Sequence, residues 1–406
     1  MHLSASRTID YLNYITILLL VFGSTISCSN SELNNKMGEL SQTADDIQIV
    51  WDYTTLTRIY GDTQSFYPRM ISPTGGDLFT IFESEGAILL TRSTDHGTTW
   101  LQPETLVPPN GNVQATVPDI IELQNGDLLL AYNTRPPQDN DNEQLLFGIK
   151  TIKSLDGGDT WSDPVTVYEG GFEWTRGVWE PFMMQHDDEI LLFFANEHPY
   201  SESHDQEISL VRSSDNGESW SSPVRISYRE GFRDGMPVPL ILQGSGKVAI
   251  AIEDNGMQSS EFKPAIISFP SVDHLGDTYI EGHSTQRWRA LSEGDQLEVH
   301  EYGGAPYLVQ LPSGETVLSF QTTRDRGGGW AQSTMAVAIG DQNAQNFSKV
   351  TEPFSVDASK SALWNSLFVK NDSTITALTS TNAYSDDGLR EIYSIDGHVL
   401  RNGKVP

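Results

Sequence analysis

A 16-residue pattern recurs six times along this chain and limits the architectures open to it. A short apolar strand, a turn containing Gly, Asn or Asp, and a second apolar strand read "PRMISPTGGDLFTIFE" (68–83), "PDIIELQNGDLLLAYN" (118–133), "EPFMMQHDDEILLFFA" (180–195), "VPLILQGSGKVAIAIE" (238–253), "PYLVQLPSGETVLSFQ" (306–321) and "WNSLFVKNDSTITALT" (364–379). The six align without a gap, at offsets of 50, 62, 58, 68 and 58. Two apolar runs around a turn signal make a β-hairpin. Near-continuous hydrophobicity predicts strands covered on both faces. A period of this size marks an array whose units bury their cores against their neighbours.

A second repeat lies between these hairpins. "RSTDHGTTW" (92–100), "KSLDGGDTW" (153–161) and "RSSDNGESW" (212–220) share Ser, Asp, Gly and Trp at fixed positions, their serines 61 and 59 residues apart. Each is preceded by a third strand ("AILLTRS", "FGIKTIKS", "ISLVRSS") and followed by a fourth ("TWLQPETLV", "TWSDPVTVY", "SWSSPVRIS"). Four antiparallel strands repeated six times predict an all-β chain folded as a six-bladed β-propeller. "QIVWDYTTL" (48–56) is placed to supply the outer strand that closes the ring. If the first strand of each blade descends from the top face, the turn between the third and fourth strands lies at the bottom. The aspartate turns are therefore expected on the face opposite the mouth. Asp95, Asp156 and Asp215 are read as structural, because a short carboxylate accepts backbone N–H bonds, glycine allows positive φ and tryptophan covers the hairpin.

The amino terminus follows a different pattern. Arg7 precedes an apolar stretch, "ITILLLVFG" (15–23), too short to span a bilayer. Small residues then lead to Cys28, the only cysteine. Residues 1–28 read as an export signal, and Cys28 at its end resembles the bacterial lipoprotein box, which implies lipidation of that residue. Residues 29–46 are expected to be a polar tether and 47–406 a single propeller domain. The expected location is the bacterial cell envelope, as an outer-membrane or periplasmic lipoprotein, or the exterior after secretion. The formal charge of −30 repels nucleic acid and anionic membranes. Contact with a membrane is expected only through the lipid anchor.

The motif S-x-D-x-G-x-[TS]-W in a propeller resembles the Asp-box, or BNR repeat, of the sialidase superfamily, over roughly residues 47–400. The motif speaks for fold rather than activity, since unrelated functions share this scaffold. Function is expected at the opposite mouth. There the starts of the first strands converge (Arg69, Asp119, Glu180, Tyr307, Asn365), ringed by the ends of the second strands (Glu83, Asn133, Glu197, Glu253, Gln321). Polar residues ending apolar strands predict a pocket of carbohydrate size and a glycan as the partner.

Two carboxylates flanking a bond are the minimum equipment for most glycoside hydrolysis. Glu180, in "GVWEPF", lies beside Trp179, whose ring is suited to stack on a sugar or to desolvate the acid. Glu253 ends an apolar strand in the adjacent blade. "WEPF", followed by "RDGMP" (233–237) and a strand ending in Glu, looks like the exo-arabinanases of this superfamily. That resemblance implies a retaining enzyme that releases sugars from α-1,5-linked L-arabinan, with Glu180 as acid/base and Glu253 as nucleophile. Arg233, Asp234 and Asn365 join Arg69, Asp119 and Trp179 as expected substrate-binding residues, and Tyr307 is expected to orient the nucleophile.

Two alternatives stay open. An exo-α-sialidase would use Arg69, Arg233 and Arg324 to grip a carboxylate, with Tyr307 or Tyr384 as nucleophile beside Glu253; its expected acid is missing from "ESEG" (83–86). A non-catalytic glycan-binding propeller would tolerate loss of either carboxylate. No cofactor and no metal are expected, because the chain has no Gly-rich phosphate loop and no zinc spacing.

Overall fold

The computed structural model of the chain describes residues 47–139, 143–258 and 261–403. The expected signal segment, Cys28 and the 29–46 tether lie outside these residues. The chain enters on β1 (Ile47–Tyr60). Blade 1 is β2 (Ser65–Ile71), β3 (Leu78–Ser84), β4 (Ala87–Ser93) and β5 (Glu104–Val107), and blade 2 is β6 (Gln114–Glu122), β7 (Leu128–Arg135), β8 (Gly148–Ser154) and β9 (Val165–Glu169). Blade 3 follows with β10 (Val178–His186), β11 (Glu189–Asn196), β12 (Glu207–Ser213) and β13 (Val224–Tyr228). Blade 4 has β14 (Asp234–Ile241), β15 (Val248–Asp254) and β16 (Lys263–Phe269); the chain then makes β17 (Ile280–Glu281), parallel to β13 of blade 3, before β18 (Arg287–Arg289) completes the blade. Blade 5 is β19 (Gly303–Gln310), β20 (Thr316–Thr322), β21 (Thr334–Gly340) and β22 (Ser348–Thr351). Blade 6 takes β23 (Ala362–Asn371), β24 (Thr374–Thr381) and β25 (Glu391–Arg401) and receives β1 as its outer strand, antiparallel to β25. Six sheets thus close into a ring, with the amino-terminal strand as the clasp.

The second strand of each blade carries the packing. In β11, Ile190 through Ala195 are fully buried, Phe193 and Phe194 among them. Burial of each such side chain contributes about 1.5–3 kcal/mol.

The first strand of every blade is broken at the same place. Tyr67, Val117, Glu180, Met236, Ala305 and Trp364 all have φ between +46° and +56°. Each sits at a register shift between first and second strands. In five blades the next residue is proline (Pro68, Pro118, Pro181, Pro237, Pro306), which has no N–H for the ladder and belongs at such bulges. The bulge turns six side chains toward the axis at the mouth. Tyr67, Val117, Met236 and Ala305 cluster there with Trp364 against them. Glu180 is the one charged member of this ring.

These bulges correct the gapless repeat alignment. Arg69, Asp119 and Tyr307 are equivalent, pairing with Ile81, Ala131 and Ser319 just past the bulge. Glu180 occupies the bulge itself and Asn365 the position immediately after it. Apolar runs carry no mark for an extra residue, so counting them slips by one in blades 3, 4 and 6.

The three aspartate turns lie between third and fourth strands, opposite the mouth. In each, the serine hydroxyl donates to the aspartate at 2.8 Å and accepts the glycine N–H at 2.8–2.9 Å. The aspartate also accepts the backbone N–H and side-chain hydroxyl of the Thr or Ser four residues on. The hydroxyl of that Thr or Ser, with these other bonds, holds Asp95, Asp156 and Asp215 at about 2. A basic residue then latches each turn to a neighbouring blade. Arg92 donates to the Gly158 carbonyl (2.6 Å), Lys153 to that of Asn216 (3.2 Å) and Lys370 to that of His96 (3.4 Å). Asp156→Ala is therefore expected to lower Tm in a thermal melt at pH 7. The difference should narrow as pH falls from about 3.8 toward about 2, where the wild-type aspartate is itself protonated.

Candidate active site

Top-face residues of blades 2, 3 and 4 enclose a cavity of about 370 Å³. Glu180, Glu197 and Glu253 line it with Arg135, Arg233, Trp174 and Trp179. The aromatic wall is continuous: the Trp174 and Trp179 rings lie 5.5 Å apart and Phe147 packs behind both. The Arg135 guanidinium lies 5.3 Å from the Trp179 ring centre.

The cavity carboxylates are placed by backbone geometry. A bulge leaves its own N–H outside the ladder, and a buried donor needs an acceptor. At three junctions the acceptor is the side chain that ends the second strand of the preceding blade. Glu83 accepts from Val117 (3.4 Å), Glu253 from Ala305 (2.9 Å) and Gln321 from Trp364 (3.0 Å). Blade 3 has Ala195 at the equivalent position, paired with Trp179. There the Met236 N–H bonds instead to Glu180, so that both catalytic candidates are tied to the backbone of the following blade.

Burial raises the proton affinity of Glu180, opposed by Arg135, Arg233 and the Met236 N–H. Burial likewise pushes Glu253 up to about 7, and the charge of Glu180 pushes in the same direction. Tyr302 approaches the same Glu253 oxygen that Ala305 binds, at 3.5 Å, and is itself held by Gln321 at 3.1 Å. Gly304 leaves room for this arrangement, because a Cβ there would collide with both Tyr302 and Glu253.

Of the residues expected at the substrate, Trp179, Glu180, Arg233 and Glu253 meet in this cavity. The others lie elsewhere. Arg69 is buried beneath the mouth, 5.1 Å from the Tyr307 ring, and donates to the carbonyls of Pro68 (2.9 Å) and Asn365 (3.4 Å). Asp119 accepts the Met183 N–H at 2.7 Å, and burial pushes it up to about 7. Burial also raises the Tyr307 phenol, which makes it a poor nucleophile in this layer. The Asn365 side chain accepts from Thr379 at 2.8 Å. Asp234 has no solvent exposure; both of its oxygens bind Arg287, at 2.7 and 2.6 Å, because Arg287 is itself buried and needs its charge met. Arg324 donates to the Asp295 carbonyl, and Tyr384 packs on Tyr393. Of the three arginines considered for a sialidase, Arg233 alone lines this cavity.

Three residues escaped the sequence reading as site members. Arg135 ends β7 two residues past the hairpin pattern. Glu197 was noted only as a strand end, yet it lines the cavity and pairs with Arg233, which also bonds Gln206 at 2.6 Å. Burial, with the charge of Glu180, raises Glu197 to about 7. Tyr302 lies before β19, outside any repeat unit. For Arg135 the available signal was an arginine just beyond the apolar run, in "NTRP".

These raised values set the sign of the pH dependence of stability. Asp119, Glu197 and Glu253 bind protons more tightly folded than unfolded, where their ordinary values are 3.8 and 4.5. Their contribution is complete below those ordinary values and is lost as pH rises through about 7. Denaturant melts between pH 4 and 8 are expected to show stability falling across that window from these groups. Glu253→Gln should flatten the slope and raise Tm at the alkaline end, since it removes a buried charge.

Residues 12–171 match the family model of the BNR repeat-like domain. None of the curated proteins matches the sequence. In fold, the chain is similar to an α-L-arabinanase of Penicillium chrysogenum, solved with arabinobiose, at TM-score 0.64 and 18% identity, covering 88% of this chain and 100% of that one. An α-L-arabinofuranosidase of Fusarium graminearum gives 0.62 and 18%, covering 88% and 97%. The Trypanosoma rangeli sialidase gives 0.56 and 12%, covering 87% of this chain and 59% of the longer one. With its six-bladed ring, the chain has a β-propeller fold similar to that of these glycoside hydrolases, and its BNR repeat-like match lies within residues 12–171.

Proposed function

We propose that the chain is an exo-acting, retaining glycoside hydrolase that releases terminal α-linked sugars from an arabinan-like glycan. The observation that carries this reading is the meeting of Glu180 and Glu253, both raised by burial, in one tryptophan-walled cavity. In the first step the protonated Glu180 gives its proton to the glycosidic oxygen as that bond breaks. Glu253 attacks the anomeric carbon and forms a glycosyl ester. Water then attacks the same carbon, Glu180 takes the water proton, and Glu253 leaves as a carboxylate. The bonds from the Ala305 N–H and the Tyr302 hydroxyl oppose the burial that raises Glu253.

An arabinan-like substrate is supported by likeness of fold to proteins that act on arabinosides and by the cavity charge. Three carboxylates against two guanidiniums, one already paired with Glu197, suit a neutral sugar better than an anionic one. We further propose, from the amino-terminal sequence alone, that the protein works after export, anchored through a lipid on Cys28.

The test is sugar release by purified residues 29–406 from linear arabinan and from a sialyl-oligosaccharide. Arabinose-type products are expected from the first and none from the second. Glu180→Gln and Glu253→Gln are each expected to lower kcat/KM by about 10²–10⁴-fold. Binding without cleavage would establish a glycan-binding propeller instead, and free sialic acid a sialidase. Gly304→Ala is expected to lower kcat more than it raises KM, because it displaces the nucleophile and its tyrosine while leaving the sugar-binding wall intact.

A further inference from the structure

A second concavity, of about 550 Å³, lies beside the candidate active site. Two chain segments wall both. Arg233 faces the catalytic cavity while its neighbour Phe232 faces the groove; Glu253 faces the cavity while Gly256, after the same strand, faces the groove. The outer side is built by Tyr279, Glu281 and His283. These come from the connection between β16 and β18, which in the first three blades is the aspartate turn. In blade 4 that motif is absent, and the chain climbs the edge of blade 3 as β17 beside Ser227 and Tyr228.

The groove is preformed. Arg229 runs along its floor, donating to the Gly256 carbonyl at 2.9 Å and to buried Asp254 at 3.1 Å. Glycine is required beside it: a Cβ on Gly282 would approach the Arg229 side chain at 2.8 Å, and one on Gly256 would approach Phe232 at 2.7 Å. Phe232 and Tyr279 are 37% and 36% exposed. Glu230, Glu281 and His283 supply hydrogen-bonding groups around them, while the floor guanidinium is already matched by Asp254. Flat apolar faces rimmed by acceptors, with no unmatched positive charge, fit a neutral polyhydroxylated chain rather than an anion.

We propose that this groove is an accessory glycan subsite, holding neutral sugar units of the same chain whose terminus occupies the catalytic cavity. This rests on the glycoside hydrolase reading above. Binding energy gathered there is drawn on at the reacting bond, so long substrates gain and short ones do not. The experiment compares hydrolysis of arabinobiose with that of a linear arabino-oligosaccharide of six units, by the wild type, Phe232→Ala, Tyr279→Ala and Phe232→Tyr. The alanine variants are expected to lose about 10-fold in kcat/KM on the long substrate and less than about 2-fold on the short one, with Phe232→Tyr close to wild type. Equal losses on both substrates, or none on the long one, would overturn the subsite. Calorimetric titration of the six-unit oligosaccharide into Glu253→Gln protein, with and without Phe232→Ala, reads the groove independently of catalysis. Unchanged affinity there would also overturn it. A wild type that cleaves neither substrate defeats the hydrolase reading, whereas the titration still decides the groove.

Discussion

Closure of the ring is the constraint on which the rest of the structure depends. β1 pairs along β25, across more than 300 residues of sequence, and blade 6 has no outer strand without it. An open array would leave one sheet face of blade 1 and one of blade 6 uncovered and would scatter the six first strands. Closed, those strands share an axis, and six bulges point into one mouth. The far face is secured separately, by aspartate turns whose basic neighbours tie blade to blade. The aspartate turns and the candidate site thus occupy opposite ends of the same strands.

The bulges also explain why carboxylates stand where they do. Each displaced N–H needs an acceptor, and Glu83, Glu253 and Gln321 answer that need as side chains ending the preceding second strand. Gln321 shows that an uncharged group suffices. Only Glu253, and Glu180 serving the Met236 N–H, combine this structural bond with access to the cavity. The candidate pair thus stands at backbone-capping positions with one side open to the cavity. Burial then raises both acids.

Much of the site was legible in the sequence. Glu180, Glu253, Trp179 and Arg233 were all identified from strand ends and short motifs, and all four line the cavity. Arg69, Asp119 and Tyr307 were placed with them because strand starts converge at the top. The structure puts these three one layer lower, where an extra residue at each bulge turns them inward on one another. Asp234 was drawn in by its neighbours, but it serves the buried Arg287. Such pairings join residues more than 50 positions apart and leave no periodic trace.

The sequence by itself determined the repeat, the blade count, the closing strand and the face on which the aspartate turns lie. Each depends on local rules: apolar runs, turn residues and alternating strand direction. Tertiary structure alone decided the register of the bulges, the partner of every buried charge and the joining of Arg135, Glu197 and Tyr302 to the site. Those depend on which groups are excluded from water together, and only the closed ring brings them there.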